Sequence, residues 1–231
     1  MKVVCLSAGH NDNDPGAIYK GLVERDLVEK IVGHASEILR SHGVGVLNPP
    51  PSLNLSGTVR WINDRKDQPI DICCEIHINS SSKPNQGVGL EGWHYRNSNE
   101  SKNFAQFLVD GCAVESGMKK DRGVKDEKYH RWGKLRFVHD TIPLACLIEC
   151  GFINTDEDRA ILSTDTGLYN MAKGVARGVV EYLGLNWTPQ KPSKPQESKE
   201  LLKIRGELAE CKKECQRLKD RLVKISALSR L

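Results

Sequence analysis

The residues with the most chemical promise are His10, Glu24, His77 and Glu149. Two imidazoles and one carboxylate make the donor set of a catalytic zinc site, whose fourth position is left for water. Zinc lowers the pKa of such a water toward about 7 and polarises a carbonyl. A separate carboxylate nearby then takes the water's proton and passes it to a leaving amine. The chain holds seven histidines and many glutamates, so spacing alone leaves other triples open. The choice among them depends on where the surrounding elements put each side chain.

Those elements can be read from the apolar pattern. Lys2 to Leu6 is a short, apolar, β-branched run that predicts a buried strand. Pro15 and Gly16 force a loop after it. From Leu22 the residues Val23, Leu27, Val28, Ile31, Val32, Ala35, Ile38 and Leu39 recur at helical spacing. His10 therefore sits just past a strand end and Glu24 in the first turn of a helix. Ile70 to Asn79 reads as a central strand, and its period of two puts Cys73, Glu75, His77 and Asn79 on one face. Leu144 to Glu149 reads as a further strand ending at the fourth candidate.

The rest of the first 186 residues alternates in the same way. Strands are expected over Gly43–Val46, Gly87–Tyr95 and Leu135–Val138. Helices are expected over Leu55–Lys66 with Ser56 as cap, Ser98–Glu115 with Ser98 as cap, Asp156–Leu162 and Leu168–Leu183. Gly117–Lys134, which carries Arg122 and Lys125, reads as a polar loop. The alternation predicts an α/β domain with a mostly parallel sheet, whose crevice beyond the strand carboxyl ends is the usual site.

Residues 187–198 (WTPQKPSKPQES) read as a proline-rich linker. Beyond it, 199–231 carries four heptads, with Leu201, Leu208, Cys215 and Leu222 at a and Ile204, Cys211, Leu218 and Ile225 at d. Glu200, Glu207 and Glu214 fall at g, and Arg205, Lys212 and Lys219 at e. This pattern predicts a coiled-coil helix that self-associates, with a trimer or tetramer favoured over a dimer. The competing reading is an amphipathic helix folded back on its own domain.

Composition bounds the function classes. Hydrophobic residues make up 39% and charged residues 28%, as in globular proteins. No apolar run approaches the roughly 20 residues that span a bilayer, so no integral membrane segment is expected. The net charge of +4 hides +6 in residues 187–231 and −2 in residues 1–186, which argues against a nucleic-acid surface on the main domain. The opening residues lack a signal-peptide pattern, so synthesis in the (host) cytoplasm is expected, with action on a target outside only after release. The eight cysteines lie mainly in apolar runs without paired CxxC spacing and are expected to be reduced and structural.

A resemblance sharpens the candidate site. Gly9-His10 with Asn13-Asp-Pro-Gly-Ala17, Gly21-Leu-Val-Glu24, Ile76-His77-Ile-Asn79 and Leu147-Ile-Glu149-Cys-Gly-Phe-Ile-Asn154 occur in this order. Together they resemble the zinc-dependent N-acetylmuramoyl-L-alanine amidases, the cell-wall hydrolases of the Amidase_3 type, over about residues 1–185. The resemblance implies zinc on His10, Glu24 and His77 and a catalytic acid/base at Glu149. It implies peptidoglycan as substrate, cut between N-acetylmuramic acid and L-alanine, and a twisted mixed sheet flanked by helices. A wall hydrolase without a leader points first to a bacteriophage endolysin, with a sporulation-type amidase as the alternative.

The sequence departs from the family pattern at Ser7-Ala8, where Asp-Pro is frequent, and at Glu75, where a small Ser is common. Glu75 is either a supporting partner of His77 or a rival to Glu149. Asn79 orients its loop or contacts substrate. Arg122 and Lys125 hold a stem-peptide carboxylate or are exposed cations without a task. Trp93, Tyr95 and Trp132 line a glycan groove or fill the core. His34, His42, His94, His130 and His139 match no motif and read as surface or core. Two rival functions are a zinc carboxypeptidase on soluble peptides and a non-catalytic wall-binding scaffold.

Overall fold

The computed structural model describes residues 1–65, 68–119, 122–189 and 217. In chain order the elements are β1 (Val3–Ala8), β2 (Ile18–Tyr19), β3 (Leu22–Val23), α1 (Glu24–Ser41), β4 (Gly45–Leu47), α2 (Leu55–Asn63) and β5 (Ile72–Asn79). They continue with β6 (Glu91–His94), α3 (Asn99–Ser116), β7 (Gly123–Asp126), α4 (Arg136–Asp140), β8 (Leu144–Phe152), α5 (Asp156–Leu162) and α6 (Asp165–Tyr182). Six strands form one sheet in the order β4-β1-β5-β8-β6-β7. The β4, β1, β5 and β8 pairings are parallel, and β6 turns antiparallel to β8. The expected α/β fold with a mixed sheet is thus what the chain adopts.

The sheet separates two layers. Val4, Leu6, Cys74, Ile76, Ile78, Cys146 and Ile148 pack with the apolar stripes of α1, α3 and α6 in the larger core. The opposite face is thinner: Cys5, Cys73 and Ala145 meet Ile62 of α2 and Phe137 of α4. Because residues two apart share a face, Cys73, Glu75, His77 and Asn79 all belong to this second side. The short α2 and α4 cover it only in part, which leaves its strand ends open. All six cysteines among the described residues are free and buried, as expected for core filling.

Local chemistry explains most boundaries. Ser98 caps α3 by accepting from the Ser101 N–H, as its sequence position implied. The cap of α2 is Asn54, which accepts from Gly57 N–H, rather than Ser56. Leu22 and Val23 pair with Ile18 and Tyr19 across a turn at Lys20 and Gly21 instead of opening α1. Two expectations fail outright. Leu135–Val138 is not a strand: Leu135 leads into α4. Gly117–Lys134 is not all loop, because Gly123–Asp126 adds β7 to the sheet edge beside β6.

The chain divides into two compact units, Met1–Thr188 and Pro189–Leu231. In the first unit Trp187 stacks on His42 with ring centroids 4.9 Å apart. The predicted linker beyond Pro189 and the heptads of 199–231, Arg217 apart, lie outside the described residues. Among the described residues no helix is long and apolar enough to cross a membrane.

Candidate metal centre and catalytic cleft

The loop after β1 carries His10 into the sheet crevice. Gly9 N–H bonds the Ile76 carbonyl at 2.8 Å, which ties the loop to β5. His10 itself adopts φ +70°, a left-handed conformation that costs energy for a residue with a side chain. Asn11 and Asp14 close the turn with paired backbone hydrogen bonds. Gly16, also at positive φ, lies where an added Cβ would come within 2.6 Å of the His10 ring. Gly9 is as tightly placed, its ideal Cβ falling 2.4 Å from the ring of His77.

Glu24 opens α1 and is 4% exposed. Its two oxygens are pinned by backbone donors, Oε2 by Ala17 N–H and Oε1 by Ile78 N–H, each at 2.9 Å. The same oxygens face the two imidazoles. His10 Nε2 lies 3.1 Å from Oε2, and His77 Nδ1 lies 3.1 Å from Oε1. One donor atom from each of His10, Glu24 and His77 lies within 4.8 Å of the other two.

The electrostatics follow from this packing. Burial would raise the Glu24 carboxyl, but hydrogen bonds from His10 and His77 hold it far below the usual carboxylate range. Burial would depress His10, yet Glu24 and Asp14 raise it above its ordinary value. Burial acts the same way on His77, and Glu24 and Glu75 push it well above. One carboxylate therefore holds two imidazoles that share its negative charge. The donor chemistry fits a divalent cation of the zinc type, which takes the place of the shared protons when the imidazoles are neutral.

Glu149 stands beside this trio. It is the register partner of His77 across the parallel β5–β8 pair and of Glu91 across the antiparallel β8–β6 pair. Its Oε2 is shielded from solvent and has no hydrogen-bond partner among the described residues. Burial pushes its carboxyl up to about 7; His77 opposes the rise, and the charges of Glu24 and Glu91 add to it. A carboxyl poised there exchanges protons readily near neutral pH. Glu149 does not end its strand, since β8 runs on to Phe152 through Gly151 at φ +95°.

A cleft of about 930 Å³ runs over these residues. His10, Glu24, His77, Asn79 and Glu149 line it, and Trp93, His130, Arg131 and Trp132 add an aromatic and basic stretch of its wall. Of the sequence candidates for substrate contact, Asn79 reaches the cleft. Arg122 and Lys125 instead converge on the buried Glu91 carboxylate, Lys125 at 2.7 Å. Trp132 is 67% exposed, and Arg131 lies 4.5 Å over its ring. The sequence reading gave three residues here no part in the site. His130 sits edge-on between Trp93 and Trp132, at 5.1 and 4.8 Å between centroids. Asp14 Oδ2 approaches His10 Nδ1 to 2.9 Å, and its four-residue spacing from His10 was the available signal. Glu91 is the one charge in an apolar strand, and that isolation was its signal.

Comparison with known proteins agrees with this geometry. The family model described as N-acetylmuramoyl-L-alanine amidase matches residues 4–181. An endolysin of Bacillus phage SPP1 is 32% identical over 208 residues, which cover 86% of this chain and 74% of that protein. A sporulation-specific N-acetylmuramoyl-L-alanine amidase of Bacillus subtilis is 28% identical over 195 residues, covering 81% and 71%. Among solved structures, the catalytic domain of the amidase CwlV from Bacillus (Paenibacillus) polymyxa superposes with a TM-score of 0.69 at 26% identity, covering 80% of this chain and all of that one. With the family model spanning most of the chain and the sheet, cleft and acidic–imidazole cluster in place, the chain belongs to the N-acetylmuramoyl-L-alanine amidase family and is a hydrolase of the amide between N-acetylmuramic acid and L-alanine in peptidoglycan.

Proposed function

We propose that the enzyme is zinc-dependent, with His10, Glu24 and His77 holding the ion and Glu149 acting as acid and base. The observation that carries this reading is the meeting of three donor atoms within 4.8 Å beside a carboxylate whose Oε2 lacks a hydrogen-bond partner among the described residues. When bound, zinc supplies a Lewis acid for the scissile carbonyl and for water. Glu149 takes a proton from the attacking water and delivers it to the departing L-alanine amine. Glu24 stays ionised through the cycle, because two backbone N–H groups hold its oxygens. His10 and His77 act as neutral nitrogen donors. Asn79 and the wall of Trp93, His130 and Trp132 bound the space in which glycan and stem peptide lie.

The cellular role we infer is endolysin-like lysis, with the enzyme reaching the wall from the cytoplasm after release. The phage relative supports it. The sporulation-specific relative supports a second reading, wall hydrolysis after the mother cell opens. We also propose that residues 199–231 join copies of the chain into a trimer or tetramer, a reading that rests on the heptads alone.

The test is zinc content and wall hydrolysis for wild type and Glu149→Ala. Stoichiometric zinc in both, with muramoyl and L-alanine termini released by wild type only, is the expected result. Unchanged release by the variant would overturn the assignment of Glu149, and wall hydrolysis without bound metal would overturn the zinc reading.

A further inference from the structure

We propose that Glu75 is a positioning residue for His77: its carboxylate accepts the outer N–H of the imidazole and so fixes the tautomer whose Nδ1 faces Glu24. The proposal rests on the metal reading above and adds to it a residue at which this chain departs from the family's motif. Glu75 Oε2 lies 3.4 Å from His77 Nε2, while Nδ1 of the same ring lies 3.1 Å from Glu24 Oε1. His77 is thus held between two carboxylates, one on each nitrogen.

Glu75 borders the same cleft as His77 and Glu149. It is 6% exposed, and among the described residues neither a Lys or Arg nor a backbone N–H pairs with its carboxylate. Its register neighbours are Ser7 on β1 and Leu147 on β8, which supply no cation. A buried carboxylate without a donor is costly, so the His77 N–H is what makes the position tolerable. The strand itself sets the contact, because residues 75 and 77 project from one face of β5.

The other imidazole repeats the arrangement. His10 turns Nε2 to Glu24 and Nδ1 to Asp14, at 3.1 and 2.9 Å. Each ring therefore shows one nitrogen to the central carboxylate and the other to a supporting one. Such support orients a ligating imidazole and raises its basicity, and its loss costs 10- to 100-fold in metal affinity, roughly, where it has been tested. Glu75 addresses the nitrogen turned away from Glu24, which separates its task from that of Glu149.

The test compares the full chain with Glu75→Ala and Glu75→Gln, each checked for an unchanged unfolding midpoint. Zinc affinity, read by competition with a chromophoric chelator, should fall roughly 10- to 100-fold in Glu75→Ala. Glu75→Gln should fall less, since its amide oxygen still accepts from Nε2–H. In metal-free protein, imidazole nitrogen–proton spectra should show a protected His77 Nε2–H that disappears in Glu75→Ala. Equal zinc affinity and equal protection in all three proteins would overturn this proposal alone. Hydrolysis lost with both readouts unchanged would also overturn it, by placing Glu75 on the reacting atoms. A wild type that keeps the protected proton yet takes up no zinc would overturn the metal reading, and this proposal with it.

Discussion

Glu91 and Glu149 stand directly opposite each other on β6 and β8, yet their carboxylates keep opposite company. Glu91 is clasped by Arg122 and Lys125. Glu149 has one oxygen shut off from solvent and from every donor among the described residues. The first is paired with two cations, and the second is the group that trades protons near neutral pH. The two cations that the sequence offered for a substrate carboxylate are engaged in making that difference.

Glu149→Gln preserves shape and removes the exchangeable proton. Wall hydrolysis should fall by about 10²- to 10⁴-fold, the range for loss of a general acid/base. Zinc uptake and the unfolding midpoint should hold, because Oε2 has no hydrogen-bond partner to lose among the described residues. A drop of less than tenfold in turbidity-clearing rate would exclude Glu149 from the chemistry.

Gly9→Ala tests the crowding around the donor trio. The new methyl would fall 2.4 Å from His77 Cε1, so the ring must move. Zinc affinity should weaken by at least about tenfold, as for other disturbances of a ligand's support. Chelator competition measures it, and unchanged affinity would mean that His77 is free to give way.

Glu127 offers a pH test away from the cleft. It accepts from His139, the Leu135 N–H and Arg96, and although burial opposes them these bonds lower its carboxyl below the usual range. A depressed carboxyl adds stability above the unfolded-state pKa, about 4.3, and loses it as pH falls through the folded value. Glu127→Gln should therefore be less stable than wild type at pH 7, by about 2 kcal/mol. The gap should narrow only as pH falls through the folded value, which lies below the ordinary carboxylate range, and close once the native carboxyl is protonated. Urea midpoints at pH 7 and at a series of falling acid pH values read it directly; a gap that stays constant throughout would sever the stabilisation from the charge.

Removal of residues 189–231 should leave Met1–Thr188 as a folded, zinc-binding monomer, since that unit is compact by itself. Light scattering should give the full chain three or four times the mass of one copy. A monomeric full-length protein would defeat the coiled-coil reading.

The sequence was most legible where burial imposes a period. β1, β5, α1 and α6 each present a continuous apolar face, and their positions bring His10, Glu24 and His77 to one crevice. It failed where partners rather than periods decide. The β7 strand is a polar edge whose four residues are all half-buried, so only pairing with β6 makes it a strand. Arg136–Asp140 holds a β-branched, aromatic run, but Phe137 needs a helical turn to reach Cys5, Ile62 and Cys73. The expected strand stops at Glu149, whereas β8 passes on through Gly151, and the β5–β8 register shifts between His77 and Asn79 to absorb it. His130 had no motif because its place depends on Trp93, brought from another strand.

The pairing of β5 with β8 also sets what can be changed in this enzyme. Sliding one strand by a single residue would turn Glu149 into the helical layer while His77 stayed at the crevice, and no side-chain substitution repairs such a slip. The segments around Leu53 and from His130 to Lys134 carry no such register constraint, although they border the same opening. Redirecting the hydrolase to another wall is thus a matter of exchanging its rim, with the two central ribbons inherited as a block.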